Sequence, residues 1–420
     1  FVTLLAMAAF LLVNIRPIRS CGPTRRLRQL ETGSALLGQF LVSAAVSVIL
    51  QCGLLYALWM QGTENETFGG KAVLAAAASI LWCVLAEGIV FWNGMIRVYL
   101  TSVQLGIKTR ILAALVWWIP GVNIWYLMKI MRLTGREAEL ETEKWELDEV
   151  RAESEICKTR YPILLVHGVF FRDFKYLNYW GRIPRELKRN GAQVFYGQQQ
   201  SAASVEDSGR ELAARIRQIM EETGCQQVNI IAHSKGGLDA RAAIAHCGMA
   251  SCVATLTTIN TPHRGCVFAE YLLNHLPDRM VRRVADTYNA AARHLGDAAP
   301  DFMAAVQDLT ASACESRNRI TPDDPSVVYE SVMSVCHKAR SGRFPLNMTY
   351  RLVNWFDGPN DALVAVDSAE WGSRFTLLEP AGRRGISHGD IIDLNRENVP
   401  GFDVREFYVQ LAAGLKDRGY

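Results

Sequence analysis

The sequence predicts an α/β fold with a mostly parallel sheet, preceded by an all-α transmembrane region. In the last three-fifths of the chain, short apolar runs alternate with helical patterns, which is typical of a parallel sheet covered by helices on both faces. In the first 130 residues the apolar residues are instead gathered into long segments. A chain of 420 residues suits two domains or one large one.

The composition gives no indication of a nucleic-acid-binding or zinc-binding protein. Half of the residues are hydrophobic and the formal net charge is only +3, so nothing indicates a nucleic-acid partner. Seven of the ten cysteines fall after residue 150, at spacings that match no zinc pattern. We expect free, mostly buried thiols in a reducing compartment. These seven are Cys157, Cys225, Cys247, Cys252, Cys266, Cys314 and Cys336.

The N-terminal region contains several apolar segments. Residues 33–60 and 72–95 are each long enough to span a bilayer, which takes about 20 apolar residues. Residues 1–15 are also apolar, and the later segments argue against a cleaved signal peptide there. A fourth run, 111–128, is broken by Pro120-Gly121 and is either a span or a re-entrant hairpin. Glu87 is the one acid inside the third segment, and we expect it to reach the interface from near a helix end.

Charge predicts the orientation of these segments. The loop before the second segment is rich in arginine and is therefore cytoplasmic by the positive-inside rule, whereas residues 61–70 carry two acids and no base and lie outside. If the fourth run spans, the rest of the chain faces outward; if it is a hairpin, the rest faces the cytoplasm. The basic residues that follow it slightly favour the hairpin. They are Lys129, Arg132 and Arg136.

A charged helical linker at 131–158 leads into a domain covering 159–420. Its pattern predicts strands at 161–166, 193–196, 226–231, 253–260, 350–355 and 374–378. It predicts helices near 180–190, 205–224, 238–246 and 404–415, with a long, mainly helical insertion at 266–346.

The most informative stretch is Asn229-Ile230-Ile231-Ala232-His233-Ser234-Lys235-Gly236-Gly237. It reads as an apolar strand, a tight turn with one serine between small residues, and a helix. This is the pattern of a nucleophile elbow, in which the turn lifts the serine hydroxyl clear of the sheet. The two glycines let the helix pack close to the strand. The letters alone are also compatible with a chance match.

A second stretch supports this interpretation. His167-Gly168 follows the first strand, and folds with such an elbow place one oxyanion donor in the loop after an early strand and the other on the residue after the nucleophile. These donors would be the backbone N–H groups of Val169 and Lys235. We expect His167 to brace the loop rather than to react.

A serine nucleophile needs an imidazole to take its proton and a carboxylate to orient that imidazole. In the chain order serine, acid, histidine, the only histidine after residue 337 is His388. Two acids on one loop, Asp361 and Asp357, could serve as its partner. His263 also follows a strand, and we expect a structural role for it.

Residues 160–420 resemble the bacterial true lipases of the Pseudomonas and Burkholderia type, within the α/β-hydrolases. The matching stretches, in order, are 161–168, 179–184, 191–194, 228–237, 261–265 (Thr-Pro-His-Arg-Gly) and 360–364 (Asn-Asp-Ala-Leu-Val). The resemblance implies an α/β-hydrolase fold, with the 266–346 insertion as a cap, and it selects Asp361 as the acid. Asp390 stands where calcium-binding members carry one calcium aspartate. Asp357 is the only nearby candidate for the second calcium aspartate. So few carboxylates make a poor cage for calcium, which takes six to eight oxygen ligands.

The sequence therefore predicts a membrane-anchored serine hydrolase of lipid-like carboxylic esters, with Ser234, His388 and Asp361 as the triad. An acyltransferase using the same triad is the first alternative. A non-catalytic membrane scaffold with a degenerate hydrolase domain is the second, and the complete set of motifs argues against it. The partners implied are a lipid or ester substrate and the membrane. No organic cofactor is implied, and calcium is at most weakly bound.

Overall fold

The computed structural model describes Phe10, Leu12, Asn14 and residues 22–62, 69–169, 178–294, 297–343 and 347–420. The chain divides into two compact units, Phe1–Glu149 and Val150–Tyr420. Most of the apolar segment 1–15 and most of the loop between the next two segments lie outside the described residues.

From residue 22 onward, the described part of the first unit contains the helices α1 (Arg25–Gly62), α2 (Gly69–Thr101), α3 (Ile107–Leu115) and α4 (Val122–Arg151), the last of which runs just past the end of that unit. Among the described residues, α1 and α2 are the two helices whose length and composition allow them to cross a membrane. Their backbones approach closely where glycines face each other, because a Cβ added at Gly33 would lie 2.9 Å from the carbonyl oxygen of Gly94. The two predicted spans thus form a tightly packed pair.

The fourth apolar run forms a helix, a turn and a second helix. α3 has nine residues and so extends about 14 Å, less than half of the ~30 Å hydrocarbon core. The chain then turns at Val116–Gly121, and α4 continues unbroken through most of the predicted linker. A short 3₁₀ turn at Ala152–Ser154 follows.

Glu87 does not lie near a helix end, and that expectation was wrong. Because α2 continues to Thr101, Glu87 lies about 21 Å from the end of the helix, on its inner face. Its carboxylate accepts hydrogen bonds from the hydroxyl groups of Ser43 (2.7 Å) and Ser47 (3.2 Å) in α1. The acid is therefore paired across the α1–α2 interface.

The second unit confirms the predicted parallel α/β architecture. Its six-stranded sheet has the order β2-β1-β3-β4-β5-β6, and every neighbouring pair is parallel. The strands are β1 (Ile163–Val166), β2 (Val194–Tyr196), β3 (Val228–His233), β4 (Val253–Ile259), β5 (Val328–Ser334) and β6 (Arg374–Leu378). β1, β3 and β4 are buried along their whole length, which explains why they read as continuous apolar runs.

Helices cover both faces of the sheet. The α-helices described in this unit are α5 (Ile183–Arg189), α6 (Val205–Thr223), α7 (Lys235–His246), α8 (Val267–His275), α9 (Asp278–His294), α10 (Phe302–Gln307), α11 (Ala311–Ile320), α12 (Tyr350–Phe356), α13 (Val366–Ala369) and α14 (Val404–Asp417). α5 and α14 share one apolar core with the sheet, and α6 and α7 share the other. The carboxyl ends of β3, β4 and β5 are left open to the loops that carry the candidate site.

One predicted element is wrong and one strand was missed. Residues 350–355 form the helix α12, not a strand; Val353 is buried against Phe268 while Trp355 points outward. The insertion at 266–346 is mainly helical, as predicted, but it also contains β5, an inner strand of the sheet that was not predicted. β5 carries Glu330 and Ser331 at buried positions, so its polarity concealed it from a search for apolar runs.

Candidate active site

Ser234 lies at the sharp turn between β3 and α7. Its backbone has φ 57° and ψ −133°, a left-handed conformation that side chains rarely adopt. The strain is held by neighbours, since the Ser234 N–H donates to the carbonyl of Ile259 (3.0 Å) and its own carbonyl accepts from the Thr261 hydroxyl (2.8 Å). This is the backbone that the nucleophile-elbow motif predicts.

Three glycines allow the loops to close around the elbow. A Cβ added at Gly236 would collide with the carbonyl oxygen of His167, and one at Gly237 would collide with Thr261. A Cβ at Gly168 would lie 2.7 Å from the Cβ of Ser234. The loop after β1 is therefore brought directly against the serine, with the buried Val169 next along the chain.

His388 and Asp361 form a buried pair. His388 Nδ1 lies 2.6 Å from Asp361 Oδ2, and the His388 N–H donates to the Asp361 carbonyl (2.9 Å). Asp361 is fully buried and His388 nearly so. The His388 ring centroid is 4.4 Å from that of His233, the residue immediately before Ser234. Three residues distant in sequence thus meet at the carboxyl edge of the sheet.

Four donors surround the Asp361 carboxylate. Oδ1 accepts from the N–H groups of Leu363 and Val364, each at 2.8 Å. Oδ2 accepts from the side-chain amide of Asn260 (2.5 Å) as well as facing His388. These donors hold the carboxylate in place, with Oδ2 facing the imidazole of His388.

Asn260 is a member of the site that sequence reasoning missed. It follows β4, and its amide also donates to the Ser334 hydroxyl (2.7 Å) while its oxygen accepts the Ser334 N–H (3.0 Å). It therefore joins the ends of β4 and β5 to Asp361. A polar side chain directly after a buried strand, at the edge that carries the serine, was the available signal.

Asp357, the competing acid, has other contacts. Its carboxylate accepts the backbone N–H groups of Val267 and Phe268, which begin α8. Burial nevertheless raises the pKa of Asp357, with these hydrogen bonds opposing the shift. Its contacts are those of an acid that caps a helix, whereas Asp361 is the acid that contacts His388.

A second histidine supports the site from behind. His233 is fully buried, and the Tyr179 hydroxyl lies 2.7 Å from its Nδ1. The same hydroxyl accepts the Gly168 N–H (3.1 Å). Burial, with the nearby His388, lowers the pKa of His233 well below its usual range. His233 is therefore neutral. Its ring packs against His388 and is linked through the Tyr179 hydroxyl to the loop after β1.

Lys235 begins α7, so its backbone N–H is among those that no intrahelical carbonyl satisfies. Its side chain is buried and turns away from the serine, with Nζ 2.7 Å from Asp239 and 3.0 Å from the Ser208 hydroxyl. Burial raises the pKa of Asp239 to about 7, and the Lys235 charge opposes that shift. The ion pair fixes the first turn of α7 behind the serine.

The residues that could hold calcium do not fit the ion. Asp390 Oδ2 accepts the N–H (3.0 Å) and the hydroxyl (2.7 Å) of Ser387, while Oδ1 accepts from the Arg384 guanidinium (3.0 Å). Asp357 is engaged at α8. No group of three or more metal-ligating side chains is found in the described ranges. Arg384 supplies the positive charge beside Asp390, where calcium would need six to eight oxygens.

Two further histidines, predicted from the sequence to be structural, have contacts typical of such residues. His167 is buried with its ring nitrogens 2.9 Å from the Gly168 carbonyl and 3.0 Å from the Gln199 carbonyl. His263 is also buried, bonds the Thr258 hydroxyl (2.9 Å) and stacks on Trp371 at 5.1 Å. Neither contacts the His388–Asp361 pair through these bonds.

The described cysteines are free thiols: Cys52, Cys83, Cys157, Cys225, Cys247, Cys252, Cys266, Cys314 and Cys336. Cys157, Cys266, Cys314 and Cys336 are buried, and the other three of the second unit are half-buried. Burial raises the pKa of Cys314 to about 11. Such thiols are poorly reactive, and the serine is the nucleophile that this arrangement supports.

Comparison with known proteins agrees with this geometry. Residues 162–299 match the family model of palmitoyl protein thioesterases. A triacylglycerol lipase of Pseudarthrobacter phenanthrenivorans is 33% identical over 179 residues, which cover 39% of this chain and 54% of that protein. The corresponding lipase of Burkholderia plantarii is also 33% identical, covering 39% and 49%. The chain thus spans about half the length of these curated relatives.

Among solved structures, the mature lipase BlEst2 of Bacillus licheniformis aligns with a TM-score of 0.43 and 23% identity. The alignment covers 56% of this chain and 87% of that one.

Proposed function

We propose that this chain, whose second unit is an α/β-hydrolase domain related to the bacterial triacylglycerol lipases, is a membrane-anchored serine hydrolase of carboxylic esters. The observation that carries the proposal is the His388–Asp361 pair, at 2.6 Å, brought beside a strained serine turn. A buried imidazole with an oriented tautomer has its other nitrogen, Nε2, available as a base.

In the proposed reaction Ser234 Oγ attacks the ester carbonyl while His388 Nε2 takes the hydroxyl proton. The tetrahedral intermediate collapses as His388 returns that proton to the leaving alcohol, and an acyl-serine remains. Water then attacks the acyl-serine, His388 takes its proton, and the acid is released. Asp361 holds the imidazole in its tautomer and stabilises the imidazolium.

Val169 and Lys235 are the proposed oxyanion donors. The approach of Gly168 to the Ser234 Cβ brings the loop of Val169 within reach of a carbonyl held at the serine. Lys235 is the first residue of α7, where free N–H groups and the helix dipole favour negative charge. Each such donor is worth about 3 kcal/mol in the transition state of an acyl transfer.

The match to palmitoyl protein thioesterases makes a thioester the specific second candidate substrate. The same serine, base and oxyanion donors would cleave it, since only the leaving group changes from an alcohol to a thiol. An acyltransferase that uses an alcohol in place of water remains the third possibility for the same triad. The leaving group and the acceptor are therefore what the assay must vary.

The membrane part of the proposal rests on α1 and α2. Their length and composition suit two spans, and the arginines before α1 and in its first turn indicate that this end is cytoplasmic. An even number of spans between those arginines and residue 150 would place the hydrolase domain in the cytoplasm. This placement is consistent with the free thiols of the second unit.

A fluorophosphonate probe tests the activity directly, because it labels an activated serine. We expect wild-type protein to be labelled at Ser234 and Ser234→Ala to be unlabelled, with the same melting temperature. Turnover is then measured with p-nitrophenyl butyrate and with a palmitoyl thioester, and with water or glycerol as the acyl acceptor. The relative rates rank ester hydrolysis, thioester hydrolysis and acyl transfer. An unlabelled wild type that is folded and turns over none of these substrates would refute the proposal.

A further inference from the structure

We propose that α3, the turn after it and the start of α4 form a re-entrant hairpin that inserts into one leaflet of the membrane without crossing it. The proposal rests on the proposed membrane anchoring through α1 and α2. The occupant of this surface is the lipid hydrocarbon itself. Residues 115–125 are called the hairpin tip below.

The hairpin presents an apolar surface to its surroundings. Trp117 is 70% exposed and Trp118 is 67% exposed, and Pro120 and Gly121 beside them are also exposed. Further exposed apolar side chains continue from the tip along both helices. They are Ile107, Ile111, Leu115, Val122, Ile124 and Trp125. A patch of this extent marks a surface that another apolar phase covers.

Two contacts show which way the tip points. At the far end from the tip, Glu137 of α4 pairs with Arg26 at the start of α1 (2.7 Å). Closer to the tip, the Met131 carbonyl accepts from the Ser34 hydroxyl (3.4 Å). Moving towards the tip along α4 therefore means moving from the charged start of α1 into its apolar part. The tip points into the membrane, not away from it.

The helical rise gives the depth. From Glu137, which lies at the polar end of the two spans, to Val122 at the start of α4 is fifteen steps of 1.5 Å, or about 22 Å, which is half of the ~45 Å bilayer including its interfacial regions. Leu127 and Ile130 are buried along this path against Leu37 and Val98 of the two spans. The tip thus ends near the middle of the bilayer, beside spans that continue past it.

Polar groups mark where the hairpin leaves the membrane. Glu137 is buried and accepts hydrogen bonds from the Ser102 hydroxyl (2.6 Å) and the Val103 N–H (2.9 Å), just after α2 ends. Arg110, at the base of α3, donates to the carbonyls of Leu105 (2.7 Å) and Ser102 (2.9 Å). The ends of α1 and α2, the base of α3 and the middle of α4 therefore meet at one polar level, as expected at a membrane surface.

Backbone satisfaction also supports the re-entrant form. The turn at Val116–Gly121 has internal hydrogen bonds, with the N–H groups of Val116 and Ile119 donating to the carbonyls of Leu112 and Val116 (both 3.0 Å). The Asn123 side chain donates to the Trp117 carbonyl (3.0 Å). A turn inside hydrocarbon needs such partners, because water cannot supply them.

Cysteine accessibility in membrane vesicles of known sidedness tests the proposal with the full chain. Lys108→Cys and Arg136→Cys place reporters on the two flanks of the hairpin, Trp118→Cys on its tip, and Asn65→Cys between the two spans. A membrane-impermeant maleimide is added from each side, and labelling is read at each engineered site by mass spectrometry, so that native thiols do not interfere. Labelling after denaturation is the reactivity control.

We expect positions 108 and 136 to be labelled from the same side, 65 from the opposite side, and 118 from neither. A fluorophore attached at 118 should be quenched by lipids that carry a nitroxide on the acyl chain. Labelling of 108 and 136 from opposite sides would show a third span and overturn the proposal. Labelling of 118 from water, or its protection without lipid quenching, would also overturn it.

Carbonate extraction separates this result from the proposed anchoring. Protein released by carbonate would refute the anchoring itself, whereas protein retained with position 118 open to water would refute only the hairpin. Esterase turnover is measured on the same vesicles. Failure of the proposed hydrolase activity would therefore leave the topology result standing.

Discussion

Replacing Asp361 with asparagine is the sharpest test of the proposed triad, because the structure shows what the amide would meet. The donors of Leu363 and Val364 would keep the amide oxygen at the Oδ1 position. The NH₂ group would then face the donating amide of Asn260 and Nδ1 of His388. His388 would have to accept at Nδ1 and carry its proton on Nε2, where it could no longer accept the serine proton.

The expected loss of kcat follows from this change in the tautomer of His388. The corresponding substitution in a serine protease lowers kcat by about 10⁴, which is about 5.4 kcal/mol of transition-state stabilisation. A buried donor facing another donor adds about 1–3 kcal/mol of lost stability. We therefore expect a melting temperature that falls by several degrees while the protein stays folded.

The assay compares kcat for p-nitrophenyl butyrate, with thermal melting of the same preparations. Asp357→Asn is the matched control, since it removes the same charge from the same loop and loses only hydrogen bonds at the start of α8. Because asparagine caps a helix about as well as aspartate, we expect that control to lose less than about 1 kcal/mol of stability and less than about tenfold in kcat. A larger loss of kcat in Asp357→Asn than in Asp361→Asn would refute the assignment of the acid.

Three further outcomes are expected. Ser234→Ala and His388→Ala should each abolish ester turnover with little change in melting temperature, and full activity in either would contradict the mechanism. Chelation of divalent cations should leave kcat and the melting temperature of the wild type nearly unchanged, and a calcium-reversible loss of either would contradict the absence of a calcium site. Arg384→Gln should lower both quantities, because Asp390 loses its charged partner. Burial lowers the pKa of His263 well below its usual range, so as the pH falls the unfolded chain takes up a proton there before the folded protein does. The free energy of unfolding should therefore fall by up to about 1.4 kcal/mol per pH unit below about pH 6.5. In denaturant titrations at pH 7, 6 and 5, His263→Asn should reduce that slope.

The sequence was most informative where local pattern and global structure agree. The strand–serine–glycine run around Ser234 could be interpreted because the strained turn, the close helix and the buried strand each require a particular residue type. His388 was found by elimination, since one histidine remained in the required position along the chain. Asp361 needed the resemblance to known lipases, because two acids on one loop are equivalent until their hydrogen-bond partners are known.

The parts that sequence reasoning missed depend on tertiary contacts. Asn260 and Tyr179 act through partners far away in the chain, and no local pattern shows such a bond. β5 was hidden because Glu330, which pairs with Arg418, is buried in it. The short run at α12 reads equally well as a strand, and its packing against α8 decides in favour of a helix. The position of Glu87 was also predicted wrongly. Its hydrogen bonds to two serines of another helix cannot be read from the local sequence.

The Arg384–Asp390 contact has a consequence for where such a protein can work. A bound metal ion orders a loop only in proportion to its occupancy, and so the order depends on the free ion concentration and its dissociation constant. A guanidinium that belongs to the same loop as His388 is always present at the site. The position of the proposed base is therefore insensitive to the supply of free calcium.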